Sequence, residues 1–292
     1  MLPVIAALGG MVVPAAIHFI FNKGLPSQNG YGIPMATDIA FSLGILSLLG
    51  NRVPFSFKVF LTALAIIDDL GAILIIALFY SSYISVLYLG LAAIVFMVMI
   101  SLNRMNVRAI WIYLLLGCGM WFCMHRSGIH ATITGVLLAF AIPFRSGDAQ
   151  APSTKLQRRL HWPVTFIILP LFALANTALV IPPTFAHDLT SHNSLGILLG
   201  LAMGKPVGIF LFAVVGSWLG WCALPTESRL PHLFGIGLLA GIGFTMSIFI
   251  TLLAFDDAAL IDSSKIAVMI GSLFSGMAGF IILRLLLNKS NI

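Results

Sequence analysis

Hydrophobic positions in this chain neither alternate nor recur every third or fourth residue; they fill long runs. Ten runs stand out, over residues 2–21, 31–49, 55–80, 87–102, 109–124, 128–142, 164–179, 195–218, 233–255 and 266–287. A helix needs about 20 apolar residues to cross a bilayer, and several runs fall short, the fifth and sixth among them. Within lipid every backbone polar group must be satisfied internally, which leaves helices or closed barrels. Non-alternating runs rich in Leu, Ile, Ala and Gly select the helix. The pattern predicts an all-α, polytopic membrane bundle of about ten spans, read as a single transport domain over 1–292.

Composition agrees. Of 292 residues 60% are hydrophobic and only 8% are charged, against about 25% charged in a soluble domain. The net charge of +6 does not indicate nucleic acid, because the basic residues lie in short loops. Assigning loops to alternate sides puts Arg52, Lys58, Arg104, Arg108, Arg145, Lys155, Arg158, Arg159, Arg229, Arg284 and Lys289 on one side. Only Lys23, Arg126 and Lys265 fall on the other, and Lys205 lies inside a span. That bias makes the first side cytoplasmic and places both chain ends there. The polar stretch 144–163 reads as a solvated connector. Cys118, Cys123 and Cys222 form no C-x-x-C motif and read as packing residues. The first run lacks a basic leader and an A-x-A-like site, so it is expected to stay as a helix. No cofactor is expected.

Four ionisable side chains occupy positions that lipid disfavours. Asp38 is central in the second run, Asp68 and Asp69 in the third, and Lys205 in the eighth. Each costs about 2.5–3.5 kcal/mol at a helix centre, so together they cost on the order of 10 kcal/mol, comparable to the stability of a whole domain. Helical neighbours point about 100° apart. One of Asp68 and Asp69 can therefore face Asp38 while the other faces Lys205. Carboxylates sharing a dry site cannot all stay ionised alone, so the site must hold a proton or a cation. Competition between the two is the least chemistry an exchanger requires.

The backbone near these groups is also interrupted. Gly30, Gly32 and Pro34 precede Thr37 and Asp38; Gly235, Gly237, Gly241 and Gly243 precede Thr245 and Ser247. Irregular backbone at membrane depth survives only inside protein or around a cavity. Glycine also permits close helix packing, and for the ninth run both readings stay open. Residues 1–80 and 195–287 form two three-helix units of opposite topology, with an interrupted helix in the middle of each. Paired broken helices in inverted repeats mark a site where they cross at mid-membrane, with helix dipoles facing one another.

At these residues the sequence resembles the NhaA-type sodium/proton antiporters of bacteria. The segments that carry the resemblance run over 36–41, 63–72, 130–132, 204–206 and 241–247. The likeness covers essentially the whole chain. The rule about paired broken helices was itself drawn in part from such antiporters, so it adds no independent support. The resemblance implies exchange of sodium or lithium for protons across the inner membrane, serving pH and sodium homeostasis. It implies that Asp69 and Asp68 bind the cation and the proton, and that Lys205 pairs with Asp68 when no cation is bound. It places Thr37 and Asp38 at the crossing and Gly241, Gly243, Thr245 and Ser247 in the second interrupted helix. His130 matches a histidine implicated in pH response, although a packed or interfacial histidine is the simpler reading. Gln157 stands where some relatives carry an acid, so pH activation is expected to differ.

Family members have about two helices before the point where this sequence begins. The cytoplasmic entrance, a homodimer contact and full activity are therefore not expected to carry over whole. The alternative is an N-terminally truncated, poorly active or regulatory form. Two enzyme classes are disfavoured. An intramembrane aspartyl protease needs G-x-G-D, but Phe244 follows Gly241-Ile242-Gly243. A prenyltransferase needs D-D-x-x-D, and Asp68-Asp69-Leu70-Gly71-Ala72 lacks the last acid.

Overall fold

The computed structural model describes residues 1–79, 85–145, 147–177, 188–223 and 230–289. The ends of the third and seventh predicted spans, and Arg229, lie outside them. Among the described residues all regular structure is helical. Six helices among the described residues are long and apolar enough to cross a membrane, and up to eight such spans result if each of two bent helix pairs is one.

The chain divides into two compact units, residues 1–72 with 176–292 and residues 73–175. The first unit opens with α1 (Leu2–Asn22) and a 3₁₀ helix, Pro26–Met35. These are followed by α2 (Ile39–Leu48) and α3 (Phe55–Phe79), the latter continuing past residue 72. Its later part contains α9 (His192–Leu199), a π turn over Gly200–Gly204, and α10 (Lys205–Trp218). Then come α11 (Leu230–Ala240), α12 (Phe244–Ala254) and α13 (Ala258–Lys289). Its core includes Ala6, Leu46, Phe57, Leu61, Ile209, Ile236 and Leu283, all nearly or wholly buried. α1 and α10 approach so closely that a Cβ on Gly208 would lie 2.1 Å from the Gly9 carbonyl oxygen. Only glycine permits this contact, which is how small residues bring membrane helices together.

The second unit contains α4 (Val86–Arg104), α5 (Ile110–Ser127), α6 (Ile133–Ala141), α7 (Pro152–Pro163) and most of α8 (Leu169–Thr177). Tyr113, Met99 and Met120 centre its own core. The fifth and sixth predicted spans are helices, but neither qualifies as a spanning helix. α5 ends in His125 and Arg126 and stops at Gly128 in the left-handed conformation, and α6 is only 9 residues long.

The connector expected over 144–163 is corrected. Pro152–Pro163 is helical and runs through a π turn, Val164–Ile168, into α8, giving one 26-residue helix, Pro152–Thr177. Pro152 sits at the first turn, where its missing N–H costs nothing. Lys, Leu, Gln and Arg then favour the helix by propensity alone. Pro152, Leu156 and Leu160 share one face, with Pro152 buried and Leu156 packed on the second unit's core, but this stripe is too short and too diluted by polar residues to stand out as an apolar run.

Candidate functional site: the crossing of two broken helices

Each bent pair breaks over a few residues. Pro26–Met35 and α2 meet at 43°, and α11 and α12 at 52°. At the first break Ala36 and Asp38 are extended. At the second, a Cβ on Gly241 would lie 2.4 Å from the Leu201 carbonyl oxygen, so the backbone there passes too close for a side chain. A Cβ on Gly243 would fall 2.1 Å from Ser247 Oγ.

A break frees backbone donors and acceptors that lipid cannot satisfy, and the two breaks satisfy each other. Asp38 N–H donates to the Ile242 carbonyl at 2.6 Å. The Asp38 carboxylate caps both second halves. Its Oδ1 accepts from Phe41 N–H of α2 at 3.2 Å, and its Oδ2 accepts from Thr245 N–H of α12 at 3.1 Å and from the Thr245 hydroxyl. Each half-helix N-terminus carries about half a positive charge, so two of them offset one carboxylate. Ser272 Oγ accepts from Gly243 and Phe244 N–H at 3.2 and 3.0 Å. Two hydroxyls reach back reciprocally. Ser42 donates to the Leu239 carbonyl at 2.8 Å, and Ser247 donates to the Ile33 carbonyl at 2.7 Å.

Beside the crossing lies an ion pair with both partners fully buried. Lys205 Nζ is 3.1 Å from Asp68 Oδ2. Lys205 opens α10 directly after the π turn, where its N–H bonds back five residues to the Gly200 carbonyl. Such turns recur at functional sites, because they rotate the following side chains out of α register. Thr37 joins the pair to the break. Its hydroxyl accepts from Lys205 Nζ and has its one proton placed for Asp68 Oδ2 at 2.8 Å or the Ala240 carbonyl at 2.9 Å.

Thr37, Asp38, Asp68, Lys205, Gly241, Gly243, Thr245 and Ser247 are thus brought together. Asp69 is half-buried on the next position of α3 and feels the charges of Lys205, Asp68 and Asp38. Asp68 Oδ1 and Asp69 Oδ1 are both buried and accept no hydrogen bond. Two unfilled carboxylate oxygens suit a hard cation, which takes oxygen ligands. His130 is not part of this cluster; it lies in the α5–α6 connection of the second unit, partly buried. Sequence reasoning missed Ser42 and Ser272. For Ser42 the one signal was its place four residues after Asp38; Ser272, a serine within the tenth apolar run, carried none.

A multi-pass helical protein that spends buried charge on the crossing of two broken helices is a secondary ion transporter rather than an enzyme. Residues 1–283 match the Na+/H+ antiporter 1 family, and the chain belongs to it. It is 58% identical over 289 residues to the Na(+)/H(+) antiporter NhaA of Cytophaga hutchinsonii, covering 99% of this chain and 75% of that protein. Its identity to Na(+)/H(+) antiporter NhaA 1 of Flavobacterium johnsoniae is 55%, over 99% of this chain and 76% of the relative. Its identity to Na(+)/H(+) antiporter NhaA 1 of Klebsiella pneumoniae is 49%, over 97% of this chain and 72% of the relative. The chain is accordingly a multi-pass cation/proton antiporter of the bacterial inner membrane.

Proposed function

We propose that this chain exchanges sodium or lithium for protons at Asp69 and Asp68, with Lys205 as the internal competitor for Asp68. The observation that carries the reading is a charge count at the crossing. Asp38 is offset by two half-helix N-termini, to which it is bonded. Asp68 is offset by Lys205 at 3.1 Å. Asp69 has no such partner among the described residues and carries a buried oxygen without a hydrogen bond. Of the three carboxylates it is the one that must take a proton or a cation to balance its charge. A cation held there also reaches the open oxygen of Asp68 and weakens the hold of Lys205 on that carboxylate. A proton on Asp69 leaves the Asp68–Lys205 pair intact. The two loaded states therefore differ in whether Lys205 is engaged, which is the differential contact an alternating-access cycle requires.

In this reading residues 1–80 and 195–287 are the inverted repeat units whose broken helices meet at the crossing, a rule drawn in part from this family. Both chain ends face the cytoplasm, by the excess of basic residues on that side. His130 contributes to pH response from outside the crossing. The test is sodium-driven proton movement by the purified chain in proteoliposomes, compared with Asp69→Asn. An amide cannot exchange a proton for a cation, so the variant should lose the flux. Normal sodium-dependent flux in Asp69→Asn sinks the assignment.

A further inference from the structure

We infer that the cavity between the ends of α2 and α13 binds the phosphate headgroup of an anionic membrane lipid. The cavity measures about 450 Å³ and is lined by Leu48, Leu49, Arg52, Phe280, Arg284 and Leu287, with Gly50 at its rim. That volume is in the ~300–1,000 Å³ range of small-molecule sites. Its chemistry is divided: two guanidinium groups face an apolar wall, and no carboxylate lines it.

Local structure explains the arginine pair. α2 ends at Leu48, and Gly50 turns the chain with φ +68°, a conformation that side chains disfavour. The short 3₁₀ turn that follows, Gly50–Arg52, carries Arg52 to the cavity. Arg52 Nη1 donates to Asn288 Oδ1 of α13. One edge of the guanidinium is thereby fixed, leaving further N–H donors of its five. Arg284 lies four residues before Asn288 on α13, one helical turn away on the same face. Two arginines lining one cavity supply the planar, multi-donor groups that suit phosphate.

The wall favours a lipid over a free anion. Leu49 and Leu287 are buried at its base, while Leu48 is 75% exposed and the nearby α13 residue Leu285 59% exposed. In a chain that spans a membrane those exposed leucines meet acyl chains. The cavity sits at helix ends, where hydrocarbon gives way to headgroups, on the side that carries most of the basic loops. Basic pockets between helices at that level recognise anionic headgroups. α2 is ten residues long and begins beside Asp38, so a headgroup at its far end sits about 15 Å from the crossing. It would hold that half-helix against α13. The inference does not depend on which cation is exchanged.

The experiment follows the melting temperature of the delipidated full chain in detergent. Phosphatidylglycerol, phosphatidylcholine, inorganic phosphate and glycerol 3-phosphate are titrated separately. The expected result is stabilisation by phosphatidylglycerol at a half-saturating concentration at least tenfold below that of phosphatidylcholine. Arg52→Gln with Arg284→Gln should erase the preference, and Arg158→Gln with Arg159→Gln on α7 should keep it. Arg52 also holds Asn288, so Arg284→Gln alone, which leaves that bond intact, serves as the second variant and should weaken the preference severalfold. An unchanged preference in folded Arg284→Gln overturns the inference. So does equal stabilisation by inorganic phosphate or glycerol 3-phosphate, which would make this a site for a soluble anion.

Discussion

Replacing Lys205 by Met tests the site through stability rather than transport. Lys205 and Asp68 are both fully buried, 3.1 Å apart. At an effective dielectric of about 20, two unit charges at that distance attract by ~5 kcal/mol. Removing one partner of a buried pair typically costs ~3–5 kcal/mol, because the remaining charge is left uncompensated. Thr37 can still donate one hydrogen bond to Asp68 Oδ2, which recovers ~1 kcal/mol or somewhat more. The net expectation without sodium is a loss of ~2–4 kcal/mol, on the order of 3–7 °C in melting temperature for a chain of this size. With sodium at saturation the expectation changes, because in the proposed cycle the bound cation takes the place of Lys205 at Asp68. The loss should then shrink to less than half. Adding Asp68→Asn removes the other charge, and the double variant should melt above the single Lys205→Met variant in the absence of sodium. The assay is thermal unfolding of purified protein, with and without sodium, for the parent, both single variants and the double. An equal loss in both conditions would make the pair a structural strut. No loss in either would remove Lys205 from the site.

Asp38→Ala deprives two half-helices of their cap at once. At ~0.5–2 kcal/mol for each cap, the melting temperature should fall by an amount that sodium does not restore, and Asp38→Asn, which keeps an acceptor, should recover part of it. Gly208→Ala drives a methyl into the Gly9 carbonyl oxygen, where backbone faces backbone and neither side can rotate away. It should cost at least ~1–3 kcal/mol in denaturation midpoint, whereas Gly119→Ala, with open space around its Cβ, should be neutral or slightly stabilising.

What could be read from the sequence follows from what each solvent tolerates. Asp38, Asp68, Asp69 and Lys205 stood out because hydrocarbon penalises charge, so a single such residue in an apolar run is informative. The angular argument separated the two adjacent aspartates but left open which faces Lys205; the structure assigns that contact to Asp68. The helix over Pro152–Pro163 is amphipathic, with Pro152 and Leu156 on its dry side, so it left no long apolar run of the kind by which the membrane helices stood out. Of the hydroxyls at the crossing, Thr37 and Ser247 were named through the resemblance, whereas Ser42 was silent for a different reason. Ser42, Ser247 and Thr37 bond to carbonyls of Leu239, Ile33 and Ala240, and a carbonyl freed by a helix break has no side-chain identity for a pattern to detect. Once the breaks are located, the serines acquire a rule. Asp38 and Gly243 are the residues from which α2 and α12 start, and Ser42 and Ser247 each lie four positions further on. Each returns its proton to the first half of the opposite pair. The equivalence of the two broken helices, inferred from glycine and proline in the sequence, thus reappears as two reciprocal hydrogen bonds. Parting the two helices at their crossing would strand both carbonyls, together with the Asp38 amide, in a dry interior. A motion that keeps these bonds must carry the crossing as one piece and place its sliding surfaces elsewhere.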